Sequence, residues 1–213
     1  MDLNDAYAVK TPQDSRKLYA EWAATYDETF VKANAYIYPR TIAEHFDRHI
    51  PTTQIDTVVD IGCGTGVVGR HLSTLRPQMV IDGFDISPEM LTQASGLKRP
   101  DGSLVYRDLI EVDLTQALPD RVYDSMISAG TFTHGHLGPK TLVSLIDRVR
   151  IGGWLVIGIN AVHFSSQGFA ATLASATTSK TISEPTFTDV QIYGPTSPHF
   201  GDLARIATFQ RTA

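Results

Sequence analysis

A single cysteine, Cys63, stands in the 213 residues, so no intramolecular disulfide can close and no thiol cage can gather a metal. Basic excess is lacking as well. Eighteen Lys and Arg against 23 Asp and Glu leave a formal net charge of −5, without the cationic field that draws phosphate backbones, so no nucleic-acid partner is expected. No apolar run reaches the roughly 20 residues of a membrane span, and no membrane association is expected. The opening Met1-Asp2-Leu3-Asn4-Asp5 has neither a basic nor an apolar stretch of a leader, which makes the cytoplasm the expected compartment. Internal repeats and linker-like segments are absent too. The expectation is one domain over residues 1–213, with a helical cover at 1–50 and a core at 51–213.

What is present alternates between helix and strand signals. Thr11-Pro12 supplies an N-cap and a first-turn proline, and Leu18, Trp22 and Tyr26 follow at helical spacing. A second helix is expected from about Ala35 to Ile50. Then come a strand at 58–61, a helix at 67–75, a strand at 79–84 and a helix opened by Ser87-Pro88. A third strand falls between Leu104 and Val112, and a fourth over 122–128. Pro139 opens a helix whose face carries Leu142, Leu145, Ile146 and Val149, with Gly152-Gly153 as its stop and a fifth strand at 154–159. Residues 164–179 read as a weak helix, and 187–193 and 205–211 as an antiparallel pair at the sheet edge. Strands spaced by helices imply right-handed crossovers and a mostly parallel sheet.

Three alternating glycines in Val58-Val59-Asp60-Ile61-Gly62-Cys63-Gly64-Thr65-Gly66 sit between strand and helix, where the chain must turn sharply and a ligand must approach the backbone without meeting a Cβ. Asp85 ends the next strand, where a carboxylate can accept hydrogen bonds from both hydroxyls of a ribose. Loop and acid together read as an adenosine-type nucleoside site. Gly64-Thr65-Gly66-Val67-Val68-Gly69 also matches G-x-G-x-x-G literally, which keeps a nicotinamide or flavin dinucleotide as a rival. In that fold, however, the strand runs directly into the first glycine, and counting from Gly62 puts Val67 where the third belongs.

The sequence resembles the class I S-adenosylmethionine-dependent methyltransferases, and is similar in flavour to the small methyltransferase-like 27 branch. The resemblance rests on Asp60-x-Gly62-x-Gly64-x-Gly66, on Gly83-Phe84-Asp85-Ile86-Ser87-Pro88-Glu89-Met90-Leu91, and on Gly152-Gly153. It extends to Tyr19-x-x-Trp22-x-x-x-Tyr26-Asp27 and Tyr123-Asp124. It implies a Rossmann-like three-layer α/β/α sandwich whose seven-stranded, mostly parallel sheet ends in an antiparallel strand, and S-adenosylmethionine as cofactor. By the same resemblance Asp60 lies near the methionine portion, with Gly62, Cys63 and Gly64 around it. Asp85 holds the ribose, Ile86 and Met90 pack the adenine, and Asp113-Leu114 forms the adenine turn, with Asp108-Leu109 as the competing frame. Ser128 and Gly130 flank the methionine end, and Tyr26 belongs to the lid.

Transfer from a sulfonium needs alignment above all, since orientation supplies about 7–11 kcal/mol of barrier lowering and a general base about 10²–10⁴-fold. Thr131-Phe132-Thr133-His134-Gly135-His136-Leu137, directly after the fourth strand, is the candidate acceptor wall. His134 or His136 can take a proton near neutral pH, although a helix-capping or solvent-exposed histidine is the more ordinary reading. Together with Tyr26 they are the candidate catalytic residues. His134 and His136 with a distant His163 make too thin a ligand set, so no metal is expected. Arg40 is a candidate for the methionine carboxylate through its two-pronged guanidinium; Asn160, His163 and Phe164 are candidates for the acceptor pocket. The expected activity is methyl transfer to a small molecule. A protein methyltransferase and a non-catalytic S-adenosylmethionine-binding module remain as alternatives.

Overall fold

Thr11 opens the first helix with a reciprocal cap: its hydroxyl accepts from the Asp14 amide at 3.1 Å while the Asp14 carboxylate accepts from the Thr11 amide at 3.0 Å. Helix α1 then runs Pro12–Trp22. The computed structural model describes residue 9 and residues 11–53, 56–116 and 118–213; the opening Met1–Asp5 and Ala117 of the adenine-turn segment lie outside them. A π-helical turn, Asp27–Lys32, follows α1. The next helix, α2, spans Tyr38–His49 and starts three residues later than its apolar pattern implies. Ala35 stands at φ 47°, its carbonyl accepts from the Gly194 amide at 2.8 Å, and Tyr36 bridges to Tyr193. Tertiary pairing thus takes the residues that helix periodicity had claimed.

The core alternates as β1 Thr57–Ile61, α3 Val67–Leu75, β2 Val80–Asp85, α4 Pro88–Ser95, β3 Tyr106–Glu111, β4 Tyr123–Phe132, α5 Pro139–Ile146 and β5 Val149–Asn160. Helices α6 Ala161–Ser166 and α7 Phe169–Thr178 and strands β6 Thr186–Gln191 and β7 Leu203–Gln210 complete it. Two expectations fail here for local reasons. Val149 does not continue the helix but opens β5, paired with Tyr123. Gly152-Gly153 lies inside that strand as an irregularity, Gly152 at φ 79° and Gly153 so close to Asp124 that a Cβ would sit 2.5 Å from its carbonyl oxygen. The segment 164–179 is two helices, because Asn160 caps α6 through the Val162 and His163 amides and Gly168, at φ 79°, breaks the chain before α7.

The sheet order is β3-β2-β1-β4-β5-β7-β6. β7 runs antiparallel to both neighbours and the remaining pairs are parallel. Asp124 locks the start of the central pair, its carboxylate accepting from the Thr57 amide and hydroxyl at 2.9 Å each. Two apolar clusters, one per face, make three layers: Ile42, Phe46, Leu72 and Ile81 with α2–α4, and Leu142, Ile146, Phe169 and Phe209 with α5–α7. Removing a buried ring such as that of Phe46, 0% exposed, costs about 3–5 kcal/mol. The strand order reverses between β1 and β4, which opens a crevice at their carboxyl ends. Among the described residues no helix is long and apolar enough to cross a membrane.

Candidate functional site

The crevice is a cleft enclosing about 1330 Å³ of free space, including its open mouth. Its floor is the glycine loop, where Gly62, Gly64 and Gly66 stand at φ 65°, 54° and 88°. The amides of Gly62 and Cys63 donate to the Phe84 carbonyl at 2.8 and 3.0 Å, which turns the loop across the end of β2. A Cβ on Gly62 would lie 2.0 Å from Thr131 Oγ1, whereas one on Gly64 would meet nothing within 4 Å and stand in the cleft. Asp85 sits beside it, 8% exposed, one oxygen accepting from the Gly64 amide at 2.8 Å and the other from Ser87 at 2.9 Å. Burial pushes its carboxyl up, and these amides partly offset that. Ile86, Met90 and Leu114 complete this end, an apolar slot beside a carboxylate that fits a nucleoside.

Asp60 and Ser128 belong to the support beneath the cleft rather than to its lining. Asp60 is fully buried, its Oδ2 accepting from the Tyr106 hydroxyl at 2.7 Å and its Oδ1 lacking a partner. Burial raises its carboxyl to about 7, with the Tyr106 bond opposing and the Asp85 charge adding to the rise. The Ser128 hydroxyl donates to the Ile61 carbonyl at 2.8 Å. Gly69, third in the literal dinucleotide match, answers to Tyr106: a Cβ there would lie 2.3 Å from the tyrosine oxygen. Cys63 lines the cleft, and burial raises its thiol, which stays protonated.

Two expected contacts are not made. Arg40 falls on the solvent face of α2, its side chain 68% exposed and paired with Glu44 at 2.7 Å, because the helical period that buries Tyr38, Ile42 and Phe46 turns positions 40 and 44 outward. Asp113 does not line the cleft; its carboxylate closes an Asx turn onto the Thr115 amide and hydroxyl at 2.9 and 2.7 Å, and Leu114 is the residue that faces inward. The rival Asp108 is taken up by Arg121 at 2.7 Å.

The opposite end is aromatic. Tyr26 lines it, stacked on Phe30 with centroids 5.0 Å apart. Next to it, the Asp27 carboxylate accepts from the Thr65 hydroxyl at 2.7 Å and pins the π-helical turn to the glycine loop. Gly130, at φ 83°, lets Tyr36 approach, since a Cβ would lie 2.8 Å from the tyrosine oxygen. His136 and Asn160 line the cleft, whereas His134, His163 and Phe164 do not. The His134 carbonyl can only accept, so Nδ1 of His136 donates to it at 2.8 Å, and Nε2 then accepts from the Tyr19 hydroxyl at 3.1 Å. Burial lowers the His136 imidazole, with the His134 carbonyl opposing. His163 anchors the loop by donating from Nε2 to the Leu137 carbonyl at 3.0 Å. Among the described residues no group of three or more His, Cys, Asp or Glu is placed to hold a metal ion.

The sequence reading missed Phe30, Tyr36, Tyr38 and Tyr193, all in the lining. Tyr36 and Tyr193 meet only through the bridge between segments 157 residues apart in sequence, and no local pattern announces that. Among the described lining residues neither lysine nor arginine occurs, and Asp85 supplies a carboxylate.

Residues 58–153 match the family described as "Methyltransferase domain". A tRNA U34 carboxymethyltransferase of Shewanella sp. (strain ANA-3) is 33% identical over 110 residues, 51% of this chain and 33% of that protein. The chain therefore spans about a third of the length of the curated relatives it matches. Among solved structures, magnesium protoporphyrin IX methyltransferase from Synechocystis PCC 6803 with bound SAM superposes with a TM-score of 0.65 at 16% identity, over 94% of this chain and 97% of the other. The plantazolicin methyltransferase BpumL in complex with a monoazolic substrate analogue and SAH gives a TM-score of 0.61 at 15% identity, over 95% and 96%. Both are likenesses of fold.

Proposed function

We propose that this chain, which belongs to the class I S-adenosylmethionine-dependent methyltransferases, transfers the methyl group of that cofactor to a small, uncharged, flat molecule. The observation that carries the reading is the polarity of the cleft: a buried carboxylate beside an open glycine loop at one end, an aromatic wall at the other, and no cationic side chain among the described lining residues. Asp85 takes the ribose hydroxyls, Ile86, Met90 and Leu114 hold the adenine, and Gly62, Cys63, Gly64 and Gly130 enclose the methionine end above Asp60. The cofactor supplies a methyl group already activated by its sulfonium. The chain's own task is to align the acceptor with it and exclude water, worth about 7–11 kcal/mol.

The curated relatives' names favour a second reading, a carboxymethyl transfer to tRNA. A carboxymethyl donor brings an extra carboxylate, and a tRNA brings phosphates; both call for Lys or Arg. The described residues of the cleft lining include neither, and the chain's net charge is −5, so the small neutral acceptor is the better fit.

Calorimetry with S-adenosylmethionine, S-adenosylhomocysteine and NAD, followed by measurement of S-adenosylhomocysteine release, tests the reading. Binding of the two sulfur nucleosides and release stimulated by small aromatic molecules is the expected result. Release with tRNA or a protein substrate alone overturns the acceptor class. Binding without release under any acceptor favours a non-catalytic module.

A further inference from the structure

The β4–α5 loop is built as a rigid bracket. The His136 amide donates to the Thr133 carbonyl at 3.1 Å and the Leu137 amide to the Thr131 carbonyl at 3.2 Å. Gly135, at φ 74°, lies so near Val9 that a Cβ would sit 1.9 Å from its carbonyl oxygen. The bracket aims the His134 carbonyl at Nδ1 of His136 and thereby leaves Nε2 as an acceptor. Tyr19, on α1, meets that lone pair through its hydroxyl, with its ring stacked on Trp22 at 6.5 Å and edge-on to Tyr26 at 6.3 Å. Both Tyr19 and His136 line the cleft.

We propose that the Tyr19 hydroxyl is a catalytic residue that accepts the acceptor's proton while passing its own to His136, so that the acceptor reacts at a hydroxyl or N–H group on a flat neutral ring. This rests on the methyltransferase reading above and names the acceptor class for it. The acceptor heteroatom gives an electron pair to the methyl carbon as the carbon–sulfur pair stays on sulfur. The proton released from the heteroatom passes to Tyr19 Oη, and the tyrosine proton passes to His136 Nε2. His136 is the positioning residue and the final proton store. The titratable groups facing it are Tyr19 from α1, His134 from its own loop and His163 from α6; burial leaves the imidazole neutral before the step and opposes its protonation, while the bond from Nδ1 to the His134 carbonyl supports it.

Calorimetry with S-adenosylhomocysteine comes first, since failure of the unaltered protein to bind it overturns the cofactor reading and this proposal with it, whereas the spectra and turnover below bear on the proposal alone. In the saturated complex, nitrogen-15 spectra of the histidines are expected to show His136 protonated at Nδ1 and bare at Nε2, the latter signal moving in Tyr19→Phe. A proton on Nε2, or no response to Tyr19→Phe, overturns the pairing. Turnover is then read with phenols, anilines and pyridines as probe acceptors. Tyr19→Phe and His136→Gln are expected to lower kcat for phenols and anilines about 100-fold, with S-adenosylhomocysteine affinity held within about threefold. Pyridines, which lose no proton, should fall by less than about threefold. Equal losses for pyridines and phenols, a change in KM alone, or failure of every phenol and aniline to turn over overturns the proposal.

Discussion

The two ends of the cleft are made in opposite ways. The proposed nucleoside end comes mostly from adjoining stretches of chain, namely β1, the glycine loop, the end of β2 and the start of α4 within residues 57–95, with Leu114 added after β3. The acceptor end draws Tyr19, Tyr36, His136, Asn160 and Tyr193 from five separate segments. In the first, backbone conformation and hydrogen bonds between neighbours decide the shape; in the second, packing between remote aromatic rings does. The cofactor end should therefore respond to single local changes, while the acceptor end should tolerate them structurally and register them in chemistry.

The largest expected effect tests the local end. Asp85→Ala removes the carboxylate that braces Gly64 and Ser87 and would meet the ribose. Hydrogen bonds to a charged group contribute about 1.5–3 kcal/mol each, so losing the two to the ribose hydroxyls should lower S-adenosylhomocysteine affinity about 10²–10⁴-fold by calorimetry. A loss below tenfold would break the assignment of that end.

Asp60 sharpens the comparison through pH. Its carboxyl ionises near 7 in the fold against about 3.9 in an unfolded chain. The unfolded chain thus releases its proton first, and the stability tied to neutral Asp60 is complete below pH 4 and lost as pH rises to 7. Asp60→Asn cannot ionise, so its melting temperature relative to the unaltered protein should climb across that window, by roughly 2–4 kcal/mol in stability. Parallel melting curves would refute it.

Gly62 joins the two ends, because Thr131 of the acceptor loop occupies the place of its missing Cβ. Gly62→Ala should cost about 1–3 kcal/mol in unfolding free energy, whereas Gly64→Ala, with open space around it, should lower cofactor affinity more than stability. If the two variants behave alike in denaturant titration and calorimetry, the ends are not distinct. The smallest effect belongs to Arg40→Ala. Its exposed pair with Glu44 contributes about 0.3–0.5 kcal/mol, and S-adenosylhomocysteine affinity should stay unchanged. A tenfold loss would restore the arginine to the site.

The difference in legibility between the ends has the same origin. The spacing from Asp60 through Asp85 could be read directly, since glycines required by positive φ and an acid at a strand end are features of a few consecutive residues. Helix α3 ran over the residues its pattern implied, 67–75. Arg40 is turned outward by the same period that buries Ile42 and Phe46, whereas the displaced start of the helix goes with the Tyr36–Tyr193 bridge, which no local pattern carries. His136 was visible as one of two histidines in a loop; that it, and not His134, enters the cleft depended on the Val9–Gly135 contact and on Tyr19.

From residue order came the alternation of strands and helices, the crevice at the carboxyl edge and the glycine loop with an acid beside it, because each is specified by hydrophobic period, turn chemistry or backbone freedom over short stretches. Tertiary structure chose which aromatic rings line the far end of the cleft, and which histidine is oriented and by which hydroxyl. Those outcomes turn on contacts between distant segments, whose energies no local pattern contains.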